Sequence, residues 1–235
     1  MKAVILAEGK GVRMLPLTKD KPKVMIPVNG HPFLLYLIES LKKAGITEFC
    51  FIVGYQGEKI VEFVRSLDIH ADFIHQDEQL GTAHAVQLAE QYIFEDDFLV
   101  VNGDSLWGVD DIKKMIVQDD FNYIAALKHD HPEKFAALVT KGDLLIGIVE
   151  KPREHVSTLI STGMYKFTKE IFGVIHKVKK SSRGEYELPD AIQMLARKNK
   201  VKVKVVQKWI DFGRLEDIPK VEAALEGYTP AKIKR

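Results

Sequence analysis

The chain has 235 residues, 46% of them hydrophobic, and a formal net charge of +1. That is enough apolar material for one sizeable α/β domain, and it excludes a disordered chain, a global basic field for nucleic acid and a strongly acidic surface. No run approaches the length of a membrane span, the N-terminus lacks a secretory signal pattern, and Cys50 is the single cysteine, which excludes an intramolecular disulfide and a multi-thiolate zinc site. In the apolar run Phe49-Cys50-Phe51-Ile52-Val53 the cysteine reads as a buried structural thiol, and a cytoplasmic protein with no nucleic-acid or membrane partner fits this balance.

The run Lys2-Ala3-Val4-Ile5 has no polar alternation, the pattern of a strand covered on both faces. It continues through Leu6, Ala7 and Glu8 to Gly9 and Gly11, with Lys10, Arg13 and Lys23 alongside. Glycine lets the backbone bend sharply, and inward-turned N–H groups of such a loop can cradle phosphate oxygens. Arg13 and Lys23 add fixed positive charge, one as a planar fork and one as a point charge. Taken alone, the two glycines specify only a strand-to-helix turn.

His31-Pro32-Phe33 opens a predicted helix with Pro32 in its first turn, and Phe33, Leu34, Leu37, Ile38 and Leu41 recur at helical spacing before Gly45. A strand at 49–53, a helix at 58–66, a short strand at 71–75, a helix at 82–91 behind Gly81 and an apolar strand at 98–101 follow. The last ends at Asn102-Gly103-Asp104. This alternation predicts an α/β fold with a mostly parallel sheet. Ligands of such sheets bind beyond the carboxyl ends of the strands, so the loops at Gly9 and Gly103 should line one crevice.

The second half changes character. Strands are predicted at 123–128, 135–140 and 144–150, with Lys141-Gly142-Asp143 as a hairpin turn and Glu150-Lys151-Pro152 at the hairpin's end. A strand at 159–167 is interrupted by Gly163. Helices at 170–176 and 187–197, a strand at 201–208, the segment Trp209-Ile210-Asp211-Phe212-Gly213 and a helix at 215–226 complete the order. The basic tail 228–235 has no assigned role, and no repeat or linker divides residues 1–227.

The stretch Leu6, Ala7, Gly9, Gly11, Arg13, Met14, Pro16, Leu17, Thr18, Pro22 and Lys23 resembles the signature L-A-G/A-G-x-G-T-R-L/M-x-P-L-T…P-K-P of the sugar-1-phosphate nucleotidylyltransferases. Four further motifs follow in that family's order: Gln76 through Gly81, Thr82 and Ala83; Gly103-Asp104; Glu150-Lys151-Pro152 with Ser161-Thr162-Gly163; and Trp209-Ile210-Asp211-Phe212-Gly213. Five separated motifs make chance agreement improbable where one would not. The resemblance is to the glucose-1-phosphate thymidylyltransferase and N-acetylglucosamine-1-phosphate uridylyltransferase type. It implies a Rossmann-like, three-layer nucleotidyltransferase (GT-A-like) fold with a mostly parallel mixed central sheet, a transferase domain over 1–227, and no C-terminal left-handed β-helix.

The resemblance also implies roles. Arg13, Lys23, Asp104 and Asp211 would be catalytic, with Asp104 and Asp211 holding Mg²⁺, a hard cation suited to carboxylates, water and phosphate oxygens. Taken alone, each of these carboxylates is an ordinary cap or turn former. Leu6, Ala7, Glu8, Gly9, Gly11, Gln76, Gly81, Thr82 and Gly103 would bind the nucleotide, Gln76 reading a pyrimidine edge with its amide and Gln79 as its substitute. His84 is expected to pack or cap. Glu150, Lys151, Ser161 and Gly163 would bind the sugar side, and the segment 184–192 would be architectural. The implied reaction joins a nucleoside triphosphate, UTP or dTTP favoured, to glucose or N-acetylglucosamine 1-phosphate, releasing pyrophosphate; a homo-oligomer is compatible with the sequence.

Several positions depart from the pattern: Glu8 for Gly or Ala, Val12 for Thr, Val24 for Pro, Phe135-Ala136-Ala137 for Y-G-V, Ser161 for Asn and Arg214 for Thr. A carboxylate aimed into a phosphate nest would repel its ligand, so an active enzyme requires Glu8 to turn away from the phosphates or toward the base. Two alternatives stay open: a non-catalytic nucleotide or nucleotide-sugar binder, and a cytidylyltransferase acting on phosphocholine.

Overall fold

The N-terminal apolar run forms β1 (Lys2–Ala7), buried along its whole length, in a computed structural model that describes residues 1–94 and 97–228. Of the tail 228–235, only Tyr228 lies within the described residues. The other strands of the central sheet are β2 (Glu48–Val53), β3 (His70–His75), β4 (Asp97–Asn102), β5 (Asn122–Lys128), β6 (Ala136–Lys141), β7 (Leu144–Glu150), β8 (Leu159–Thr168) and β9 (Val201–Val205). Their order is β3-β2-β1-β4-β8-β5-β9-β7-β6. The first four strands are mutually parallel. The second half is mixed: β8 runs antiparallel between β4 and β5, and β9 is parallel to β5.

Among the described residues, seven α-helices cover the sheet: α1 (Phe33–Lys43), α2 (Gly57–Arg65), α3 (Thr82–Leu88), α4 (Val109–Met115), α5 (Glu170–Ile175), α6 (Leu188–Ala196) and α7 (Ile218–Ala224). Successive side chains of a strand point to opposite faces. Ala3, Ile5 and Ala7 therefore join one core with Phe33, Leu37, Ile60, Ile112 and Val221, while Val4 and Leu6 join a second with Ala85, Val86, Phe172, Ile192 and Leu195. This two-sided burial is why β1 carries no alternation, and each fully buried aliphatic or aromatic side chain contributes about 1.5–3 kcal/mol of transfer free energy. Cys50 lies wholly inside, where burial pushes its thiol up to about 12, with Asp72 adding to the effect. No helix among the described residues is long and apolar enough to cross a membrane.

Some elements differ from the sequence expectations. His31–Pro32 is a short strand paired with Pro27–Val28, so Pro32 precedes α1 rather than filling its first turn. Residues 82–91 split into α3 and a 3₁₀ turn at Glu90–Tyr92. The strand expected at 201–208 stops at Val205, and Trp209–Asp211 forms a separate strand paired with Ser105–Trp107. Helix α4 was not expected: its seven residues bury only Asp111, Ile112 and Met115, too short a stripe for periodicity to show. Gly163 sits at a bulge, with φ +79° and a register shift between Ser161 and Tyr165.

Candidate active site

Helix α1 carries the chain from β1 to β2 across one face of the sheet, and α3 carries it from β3 to β4 across the other. β1 and β4 are neighbours, so the sheet changes winding direction between them, the position where open α/β sheets bind ligands. A cleft of about 170 Å³ opens there, lined by Leu6, Ala7, Glu8 and Gly9 from β1 and its exit, Lys23 and Val24, Thr82, and Asn102 and Asp104 after β4. The Gly103 N–H donates to the Leu6 carbonyl at 2.8 Å, and a Cβ on Gly103 would lie 2.8 Å from that oxygen. Only glycine allows so close a junction, and it sets Asp104 at the mouth of the cleft.

The first loop is anchored from below. Met14 is fully buried, and the Gly11 carbonyl accepts both the Met14 N–H and the Thr18 hydroxyl at 2.9 Å. Gly11 has φ +62°, and a Cβ there would press on Lys23 Cβ at 2.9 Å. That packing holds Lys23 against the loop, and its ammonium forms an ion pair with Asp104. Arg13 is exposed on the same loop, close enough that its charge lowers the proton affinity of Asp211.

Asp211 arrives from the far end of the chain through the ribbon of Trp209–Asp211 on Ser105–Trp107, which pairs Asp211 with Ser105. The Phe212 N–H donates to the Asp104 carbonyl at 2.9 Å, and the Phe212 ring stacks on Phe33 with centroids 4.7 Å apart. Asp111 accepts the Gln207 and Lys208 N–H groups at the ribbon's entry, and Asp217 accepts those of Gly213 and Arg214 at its exit. The result is two like charges side by side. Removal of water, then the Asp104 carboxylate, push Asp211 up to about 6, with Lys23 and Arg13 opposing. Two adjacent hard carboxylates fit Mg²⁺ completed by water and phosphate oxygens, and among the described residues no further group makes up a cage of three or more protein ligands.

Glu8 is half-buried in the cleft wall. Its carboxyl is pushed up to about 7, first by loss of surrounding water; its own backbone N–H opposes this, Asp104 adds to it, Lys23 opposes it and Glu185 adds to it. The Glu8 carbonyl accepts the Gln79 amide at 3.1 Å and lies where a Cβ on Gly54 would meet it at 2.7 Å. Gln79 is thus engaged with backbone.

Gln76 is only 2% exposed and sits directly after β3. Its Nε2 donates to the Gly81 carbonyl at 3.2 Å and lies 2.8 Å from His84 Nδ1, while its Oε1 is buried with no hydrogen-bond partner among the described residues. An orphaned buried acceptor costs about 1–3 kcal/mol, which a ligand donor would recover. His84 is half-buried, and its ring nitrogen holds the amide. Gly81, at φ +96°, approaches Glu185 and Tyr186 so closely that a Cβ would lie 2.5 Å from the Tyr186 carbonyl. The Thr82 hydroxyl accepts the Leu188 N–H at 3.1 Å, so segment 184–188 is sewn onto this end of the cleft.

The sugar-side residues are joined less tightly. A Cβ on Gly163 would collide with the Asn102 amide, which brings the bulge of β8 to the cleft. Ser161 Oγ lies 3.4 Å from Tyr165 Oη, and Glu150 is near enough to raise the Tyr165 pKa, after burial as the main cause. Glu150 and Lys151 are exposed at the hairpin's end; the Lys151 backbone N–H donates to Phe135. Among the described residues no hydrogen bond or ion pair ties the Lys151 side chain to Lys23, Asp104 and Asp211. Sequence reasoning missed Asn102, Tyr165, Asp111 and Arg183, the last paired with Glu187 at 2.8 Å and within the field of Glu150. Asn102 alone had a signal, as the polar residue ending an otherwise apolar strand.

A family model described as nucleotidyl transferase matches residues 2–227. The chain belongs to the nucleotidyl transferase family. This transferase chain is 41% identical over 221 residues to the bifunctional protein GlmU of Methanocaldococcus jannaschii, covering 93% of itself and 52% of that protein. It thus spans about half the length of the GlmU relatives it matches. It is 34% identical over 240 residues to the UTP–glucose-1-phosphate uridylyltransferase AglF of Haloferax volcanii, covering 97% of itself and 98% of AglF. A putative glucose-1-phosphate thymidylyltransferase from Bacillus anthracis has the same fold at 26% identity, with TM-score 0.89 and 99% and 98% of the two chains covered. A UDP-glucose pyrophosphorylase complexed with UDP-glucose, at 21% identity and TM-score 0.84, shares the fold over 95% of this chain and 97% of its own.

Proposed function

We propose that this chain transfers a nucleotidyl group from a nucleoside triphosphate, UTP or dTTP favoured, to a sugar 1-phosphate of glucose or N-acetylglucosamine type. The products are a nucleotide sugar and pyrophosphate. The observation that carries this reading is the convergence of Lys23, Asp104 and Asp211, from three distant stretches of chain, at the exit of β1 and β4. The likeness to AglF over nearly its whole length supports a uridylyl donor and a glucose 1-phosphate acceptor.

A sugar phosphate is already an ionised nucleophile, so no general base or covalent intermediate is needed. The work lies in aligning two polyanions and cancelling their repulsion. Lys23 supplies a fixed cation at the α-phosphate and sugar phosphate, and Arg13, exposed on its loop, meets the departing pyrophosphate. Asp104 and Asp211 would hold Mg²⁺, which when bound neutralises phosphate charge and orients the α-phosphorus for displacement. Gln76, its amide N–H groups engaged by Gly81 and His84, offers an acceptor to the N3–H of uracil or thymine and none of what cytosine N3 requires. Glu150, Lys151, Ser161 and Gly163 take the sugar side.

The deciding experiment is pyrophosphate release across a panel of triphosphates and sugar 1-phosphates with Mg²⁺. Turnover with UTP or dTTP and a hexose 1-phosphate is expected; silence with every pair defeats the proposal.

A further inference from the structure

Glu8 stands where the family pattern has a residue without a functional side chain, and it forms part of the cleft wall. Its position along the cleft can be bracketed. On one side, the cleft it lines holds Lys23 and Asp104, the proposed phosphate end. On the other stands Thr82 of the base-reading segment, and Gln79 of that segment donates to the Glu8 backbone carbonyl. The part of a nucleotide between base and phosphates is its sugar ring. A carboxylate offers acceptors only, two oxygens that match a vicinal pair of hydroxyl donors.

We infer that Glu8 is a specificity residue that accepts hydrogen bonds from the 2′- and 3′-hydroxyls of the donor's ribose, making the chain selective for ribonucleotides over 2′-deoxyribonucleotides. The inference rests on the nucleotidyl-transfer reading and narrows it, favouring UTP over dTTP. It also gives the carboxylate a place in the cleft that does not face the phosphates. A hydrogen bond to a charged acceptor sets the discrimination at about tenfold to a hundredfold.

The test compares kcat/KM for UTP and dUTP, which differ only in the 2′-hydroxyl, in the wild type and in Glu8→Gln and Glu8→Ala, with thermal melts to show that the variants are folded. ATP/dATP, GTP/dGTP and CTP/dCTP pairs are run beside them in case uridine is not the best base. The expected result is a wild-type preference of at least about tenfold for the ribonucleotide, reduced in Glu8→Gln and close to one in Glu8→Ala. Equal use of UTP and dUTP by the wild type overturns the inference, as does a ratio unchanged in Glu8→Ala. A uniform gain for both nucleotides in Glu8→Ala also overturns it, and shows instead that the carboxylate bars the phosphates. If no triphosphate is turned over, the transfer reading fails, and calorimetric binding of UDP against 2′-deoxy-UDP to the same three proteins still decides the role of Glu8.

Discussion

Lys23 and Asp104 are ion-paired across the mouth of the cleft although 81 residues separate them in sequence. Their side chains are 13% and 23% exposed, so the pair is partly shielded from water without being sealed from a ligand. Lys23 thus offsets one of the two carboxylate charges at the cleft. Binding two phosphorylated substrates and a cation would exchange that contact for others, with Lys23 turning to phosphate and Asp104 to metal. Lys23→Met should lower kcat by about 10²–10³, the range for losing one preorganised charged donor, and Asp104→Asn should lose activity together with its dependence on Mg²⁺ concentration. Initial rates of pyrophosphate release at several Mg²⁺ concentrations check both; an Asp104→Asn variant of unchanged metal response refutes the assignment.

Asp211 makes an opposite prediction for stability. Loss of surrounding water at the carboxyl, then the Asp104 charge, push it up to about 6, so the folded chain at pH 8 carries a cost that an amide removes. The residue as a whole keeps contact with solvent, which screens the effect, and Asp211→Asn should gain only a few tenths of a kcal/mol at pH 8. The same variant should lose most of its turnover. A gain in stability with a loss in rate is the mark of a residue kept for chemistry. Urea titration and rate assays on one preparation separate the two.

The pH dependence of stability should carry the signature of Glu8. Its pKa is raised from 4.5 to about 7 in the folded chain. Below about pH 4.5 the group is protonated folded or unfolded and contributes nothing; between there and about pH 7 the folded chain retains a proton that the unfolded chain releases, so stability falls as pH rises. Above that window the full penalty is present. Glu8→Gln should match the wild type at pH 4 and exceed it by about 1–3 kcal/mol at pH 8. Urea unfolding at pH 4, 5.5, 7 and 8 would show the two curves diverging; parallel curves would contradict the assignment.

Two glycines of the cleft should respond differently to the same substitution. Gly81→Ala places a Cβ 2.5 Å from the Tyr186 carbonyl at φ +96°, and should cost about 2–4 kcal/mol from overpacking and left-handed strain. A Cβ on Gly9 meets nothing within 4 Å among the described residues, so Gly9→Ala should stay within about 0.5 kcal/mol of wild-type stability. Equilibrium unfolding of the pair decides it.

His84 should act on base choice through Gln76. With the imidazole removed, the Gln76 amide is free to turn and present either face. His84→Ala should reduce the preference for UTP over CTP by about tenfold while leaving kcat with UTP within a few-fold. The ratio of the two kcat/KM values is the readout.

The strand–helix alternation, the two-sided burial of β1 and the loops at Gly9 and Gly103 were legible in the chain because they depend on local periodicity and on residues near one another. The pairing of Asp104 with Asp211 was implied by motif resemblance, but no spacing in the sequence could derive it. It exists because Trp209–Asp211 breaks away from the line of β9 and adds to Ser105–Trp107, a pairing of three-residue strands too short to leave a periodic signal. Helix α4 escaped for the same reason, and with it Asp111, whose carboxylate holds the ribbon's entry. Residue type announced that Glu8 was a departure; only the packing of Gly54 and Gln79 against its backbone set the residue in the cleft wall. The sequence by itself determined which chemistry was on offer, because charge and hydrogen-bonding capacity belong to side chains. Tertiary structure decided which of those groups share a few ångströms, because electrostatic and hydrogen-bond energies depend on distance and on the water excluded between partners, and neither quantity is written along the chain.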